Sequence, residues 1–166
     1  MSGAQFQEGD LCLSLKHGVG KVQSIKKRSL GGPSESSYAE LYFSSQDLTL
    51  ILLEKDLSET VRELVPAEKA SELLAYLEEW KGTPTKAWKA RALAHQAAIE
   101  GGDPFANVKT FKELYGLSLE GALRTSDRQN YNKSLELLIE ELMYSLGKPQ
   151  RRVRKLIMDA LGASDL

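Results

Sequence analysis

Val61-Arg62-Glu63-Leu64-Val65-Pro66 is where the hydrophobic period of the chain changes, and with it the kind of structure that can form. On its C-terminal side Ala70, Leu73, Leu74, Leu77 and Trp80 recur at helical spacing until Gly82-Thr83-Pro84 ends the run. On its N-terminal side apolar residues come in short runs broken by turn residues, which predicts strands from residue 9 to about 64. Leu11 to Leu15 is bounded by Gly9-Asp10 and by Lys16-His17-Gly18, and Val19 to Lys27 alternates in part. Tyr38 to Phe43 and Leu48 to Leu53 are two further strand-like runs, and Leu30-Gly31-Gly32-Pro33-Ser34 signals a turn before them. Short strands this close together predict a small twisted sheet or an SH3-like β-barrel.

Beyond Pro66 five helices are expected. The second covers about 85 to 99 and stops at Gly101-Gly102. Asp103 caps the third, with Pro104 at its first position and Phe105, Val108, Phe111 and Tyr115 as its apolar stripe. The fourth carries Leu135, Leu138, Ile139, Leu142 and Leu146 and ends at Gly147. The fifth starts at Pro149, with Val153, Leu156, Ile157, Ala160 and Leu161 inward. The expected class is therefore α+β, with an N-terminal β domain over 1–65 and a five-helix C-terminal bundle over 66–166. The boundary is a change of period and not a low-complexity linker.

Composition narrows the function classes. With 166 residues, 42% of them hydrophobic and 27% charged, the chain falls in the ordinary globular range. No apolar run approaches the roughly 18 residues of a membrane span. Met1-Ser2-Gly3-Ala4-Gln5 lacks the basic and apolar regions of a secretory signal, so a cytoplasmic location is expected. One cysteine, Cys12, excludes an internal disulfide and a cysteine-based zinc cluster. His17 and His95 share no ligand spacing with each other or with Cys12, so no metal is expected. His17-Gly18-Val19-Gly20 lacks the third glycine and the following helix of a phosphate loop, and reads as a hairpin turn. No nucleophile-elbow, zincin or Walker pattern occurs, and the paired glutamates lie on helix faces where solvation explains them. No enzymatic activity, cofactor or small-molecule substrate is expected.

A net charge of −1 argues against a protein that coats nucleic acid indiscriminately, but the charges are unevenly placed. Thr83-Pro84-Thr85-Lys86-Ala87-Trp88-Lys89-Ala90-Arg91 opens a helix, and no carboxylate follows until Glu100. Trp88 has two readings. Most globular tryptophans are buried; yet Leu93 lies about 140° from Trp88 around a helix axis, so the two share no apolar stripe. If exposed, the indole is a candidate wedge for a base step, with Lys86, Lys89 and Arg91 as candidate phosphate contacts. Lys26-Lys27-Arg28 is either a solvated strand end or a charged rim beside a protein-binding edge. Arg151, Arg152, Arg154 and Lys155 read as the solvated outer face of the last helix.

These pieces together resemble the CarD/CdnL family of bacterial transcription regulators over nearly the whole chain. The resemblance is carried by Gly9-Asp10, by His17-Gly18-Val19-Gly20-Lys21-Val22 and by Ile25-Lys26-Lys27-Arg28. Tyr38-Ala39-Glu40-Leu41, Asp47-Leu48-Thr49-Leu50, Gly101-Gly102-Asp103, Val108 and Glu113-Leu114-Tyr115 continue it. It implies a Tudor-like N-terminal module that binds the RNA polymerase β subunit. The contact would run through an exposed strand edge, that of Tyr38 to Phe43 or of Leu48 to Leu53, with Arg28, Tyr38, Leu41, Leu48, Leu50 and Ile51 as its residues. The helical part would contact promoter DNA near the −10 element. There Trp88, with Lys86, Lys89 and Arg91, would wedge the minor groove at the upstream edge of the bubble and stabilise the open complex. Ile51 stands where some members carry arginine, and Ala90 and Leu93 stand where some relatives are basic, which implies altered polymerase contact and weaker DNA contact. The competing expectation is a polymerase-docked adaptor whose helical domain recruits another protein through residues 148–155.

Overall fold

A computed structural model describes residues 5–29, 31–32, 34–164 and 166. Met1 to Ala4 of the expected signal-free N-terminus, and Leu30 and Pro33 of the expected turn, lie outside them. The chain divides into two compact units, Met1–Leu64 and Val65–Leu166.

The first unit is an antiparallel sheet of β1 (Leu11–Ser14), β2 (Gly18–Arg28), β3 (Ser36–Phe43) and β4 (Leu48–Leu53), in that spatial order. The period of two decides which side chains leave water. Ala39, Leu41 and Phe43 of β3 are buried, and Leu48, Leu50 and Leu52 of β4 pack on the same core with Cys12, Val22 and Phe6. A 3₁₀ turn, Glu54–Asp56, leads into the single-turn helix α1 (Leu57–Thr60), and Leu57 and Val61 complete the core. Two glycines make the β1–β2 hairpin possible. Gly18 has φ +80°, open to glycine without strain, and a Cβ on Gly20 would stand 2.5 Å from the buried Phe43 ring.

The expected SH3-like or Tudor-like barrel is not closed: β1 and β4 do not pair among the described residues. A separate bridge occupies the outer edge of β1 instead. The Leu13 N–H donates to the Arg62 carbonyl at 2.8 Å and the Arg62 N–H to the Leu13 carbonyl at 3.0 Å. The β4 edge is the longer one with a ladder partner on one side only.

The second unit holds α2 (Ala67–Glu79), α3 (Trp88–Glu100), α4 (Pro104–Glu120), α5 (Thr125–Leu146) and α6 (Gln150–Leu161). Among the described residues six α-helices therefore stand where five were expected, the additional one being the single turn α1. Leu73, Leu77, Val108, Phe111, Leu138, Leu142, Val153 and Ile157 form the core. Helix α2 packs on α4, α5 and α6, while α3 packs on α4 and α5. The Asp103 carboxylate accepts the Phe105 N–H at 3.0 Å and caps α4 as its spacing predicts.

Helix α3 departs from the usual amphipathic arrangement. Its buried positions are Arg91, His95 and Ile99, whereas Leu93 is 68% exposed and Ala90, Ala94 and Ala97 also face water. It also begins at Trp88, three residues later than expected, because Ala87 is extended and the Arg91 side chain takes the carbonyls of Thr85 and Lys86.

Candidate nucleic-acid interface

Trp88 occupies the first position of α3, and its side chain lies at the surface, 39% exposed. The other tryptophan behaves differently: Trp80 is half-buried and stacks on Tyr76 at 5.6 Å between ring centroids. Two cations stand against the Trp88 ring. Lys89 Nζ is 5.4 Å from its centroid and Arg124 Cζ is 4.9 Å away. An indole attracts a cation to its face through its quadrupole, so the aromatic surface and the positive charge come as one patch.

Arg124 is the residue that sequence reasoning missed. It is the N-cap of α5, brought beside Trp88 by the packing of α3 on α5. No spacing along the chain joins two residues so far apart in sequence; only its type, an arginine before a helix start, could have marked it.

The backbone adds to this polarity. Neither Ala87 at the start of α3 nor Arg124 at the start of α5 provides a side-chain cap. Uncapped first-turn N–H groups and the positive ends of two helix dipoles favour an anion. The first turn of α3 has no acid. The first turn of α5 has Asp127, but that carboxylate is buried and paired. Lys86, Lys89 and Arg128 are exposed around the same helix starts. The patch can therefore hold phosphate oxygens beside a flat apolar face.

Arg91 does not join the patch, and its expected role as a phosphate contact is corrected. Its Nε and one terminal nitrogen donate to the Asp127 carboxylate at 3.0 and 2.6 Å, and its other terminal nitrogen donates to the carbonyls of Thr85 and Lys86. The bonds to Asp127 raise its pKa further, so it is a permanent cation facing inward. One turn on, His95 Nε2 lies 2.8 Å from the Glu113 carboxylate and ties α3 to α4.

The residues expected at a polymerase contact separate by the pleat of the sheet. Leu41 is fully buried and is corrected to a packing residue, while Leu48 and Leu50 are partly buried against the same core. Tyr38 is half-buried on the other face, where Ile51, opposite Glu40 in the register, is 48% exposed. Arg28 pairs with Glu40 at 3.3 Å. Of the two strands expected at an edge, β3 lies between β2 and β4 and has no open side; only β4 is an edge. On α6, Arg151, Arg152 and Lys155 are exposed, and Lys155 pairs with Asp159 at 3.6 Å.

Among the described residues no group of three His, Cys, Asp or Glu side chains could hold a metal ion, and no helix is long and apolar enough to cross a membrane. Comparison with known proteins matches residues 72–158, from within α2 to within α6, to the family described as "CarD, C-terminal domain". A relative from Bacillus subtilis (strain 168), named "Putative transcription factor YdeB", is 21% identical over 149 residues, 90% of this chain and 97% of that protein. The family match covers more than half of the chain, including the helical segment that carries Trp88 and Arg124, and the chain belongs to the CarD family.

Proposed function

We propose that the protein is a non-enzymatic regulator of transcription initiation, tethered to RNA polymerase by its first unit and holding promoter DNA with its second. The observation that carries the DNA half is the surface indole of Trp88 at an uncapped helix start, flanked by Lys89 and Arg124 with no free acid in either first turn. Trp88 stacks on a splayed base step in the minor groove at the upstream edge of the −10 bubble. Lys86, Lys89 and Arg124 take the flanking phosphates, which position the protein without reading sequence. An aromatic platform suits this task because every base has a π-face, so promoters of different sequence are served alike.

The tether reading rests on β4. Its free edge accepts a strand of the polymerase β subunit by main-chain hydrogen bonding, with Ile51, Tyr38 and Arg28 on the adjoining face. Tethering raises the local concentration of the second unit at the promoter, so weak DNA affinity suffices for a chain of net charge −1. The required effect is small, since about 1.4 kcal/mol shifts an open–closed equilibrium tenfold.

A fluorescent base tests the wedge. With 2-aminopurine at the upstream edge of the −10 bubble in a polymerase open complex, the wild-type protein changes the emission of that base and Trp88→Ala does not. Equal emission with both proteins, each bound to polymerase, removes the wedge. Cross-linking of Arg151 or Arg152 to a further protein, with no DNA contact, would favour the adaptor reading instead.

A further inference from the structure

The Arg91–Asp127 pair is costly for what it contributes to stability. The two side chains are 9% and 2% exposed. Withdrawing such ions from water costs several kcal/mol each, and an apolar pair of similar volume is often as stable or more so. What an apolar pair lacks is direction. One planar guanidinium sends two bonds to the first turn of α5 and two to the carbonyls of Thr85 and Lys86, in the segment that leads into Trp88.

The spacing of these residues makes the geometry pointed. Trp88 precedes Arg91 by three residues at the start of α3, and Arg124 precedes Asp127 by three at the start of α5. Each surface residue of the Trp88–Arg124 contact thus hangs one helical turn from one member of the buried pair. The rest of α3 has anchors of its own: His95 on Glu113, the Asn130 amide on the Ala92 carbonyl, and the buried Ile99. Loss of the pair therefore releases the helix start and leaves the helix body in place.

We propose that Arg91 and Asp127 are positioning residues: without touching DNA, their pair sets the place of the Trp88 indole beside Arg124 and orders Lys86 ahead of it. The proposal rests on the DNA reading above for its consequence, but not for its geometry. A free-protein measurement therefore tests it separately.

The experiment replaces the ions by apolar groups, Arg91→Met with Asp127→Leu, in a Trp80→Phe background where Trp88 is the remaining tryptophan and is excited selectively at 295 nm. The expected result is a thermal midpoint at or above that of the parent, with Trp88 emission shifted to the red and its quenching by acrylamide increased. Open-complex lifetime falls at least about fivefold, toward the value for Trp88→Ala, since a base–aromatic stack is worth about 1–3 kcal/mol. Wild-type emission, quenching and lifetime in the folded double variant would overturn the proposal, leaving the pair as packing alone. If the double variant does not fold, Asp127→Asn keeps the volume and removes the charge; altered Trp88 emission then supports positioning, and unchanged emission overturns it. Altered emission together with equal lifetimes for the parent and Trp88→Ala would uphold the positioning and sink the DNA reading.

Discussion

The thiol of Cys12 is fully buried on β1, and burial pushes its pKa up to about 11. A thiolate is therefore disfavoured in the folded protein and favoured only once the chain unfolds. The folded pKa is the higher of the two, so its stabilising effect is full below about pH 8.5 and is lost as pH rises towards 11. Iodoacetamide is expected to label the native protein slowly at pH 8 and to label denatured protein readily; rapid native labelling at pH 8 would show the site to be open. Chemistry of this kind was legible from the chain, because a lone cysteine in an apolar run is a packing residue. Arg91 was not. Its partner Asp127 lies 36 residues on, and nothing local distinguishes it from the exposed Lys89 two positions earlier. Leu41 could have been placed correctly, since Tyr38, Glu40 and Tyr42 alternate with Ala39, Leu41 and Phe43 and only one of those faces suits a core.

Among the elements, α4 follows its sequence signals most closely. Asp103→Ala is expected to cost about 1 kcal/mol through loss of the cap, read as a lower thermal midpoint, with faster amide exchange confined to the first turn of α4. An unchanged midpoint would mean that water serves the Phe105 N–H equally well. Helix α1 is not legible in the sequence, because one turn, Leu57–Thr60, is too short to show a period. The start of α3 lies later than its sequence predicts, because Ala87 is extended and side-chain bonds from Arg91 take the carbonyls of Thr85 and Lys86 ahead of it. Strand β4 was legible as a strand, but its being the edge was not, since pairing order depends on contacts between runs far apart. At that edge Ile51→Asp is expected to weaken binding to the polymerase β subunit at least about fivefold, the scale of an interface residue worth 1 kcal/mol or more. Unaltered affinity, measured with the purified β subunit, would move the contact away from β4.

For the whole molecule, the change of hydrophobic period near residues 61–66 coincides with the division between Leu64 and Val65. A sheet and a helix bundle bury their apolar residues at different spacings, which is why the period changes there. The open sheet was not readable, because closure depends on whether the first and last strands meet. The surface patch was half readable: the basic helix start and Trp88 stand together in the chain, whereas Arg124 and the two uncapped helix starts meet only in the folded unit. The central claim is that this patch acts on melted promoter DNA through the indole. It is tested most directly by the lifetime of polymerase open complexes after challenge with competitor DNA. The account predicts that wild-type protein prolongs that lifetime and that Trp88→Ala, folded and still bound to polymerase, loses about tenfold of it. A lifetime unchanged by Trp88→Ala would contradict it.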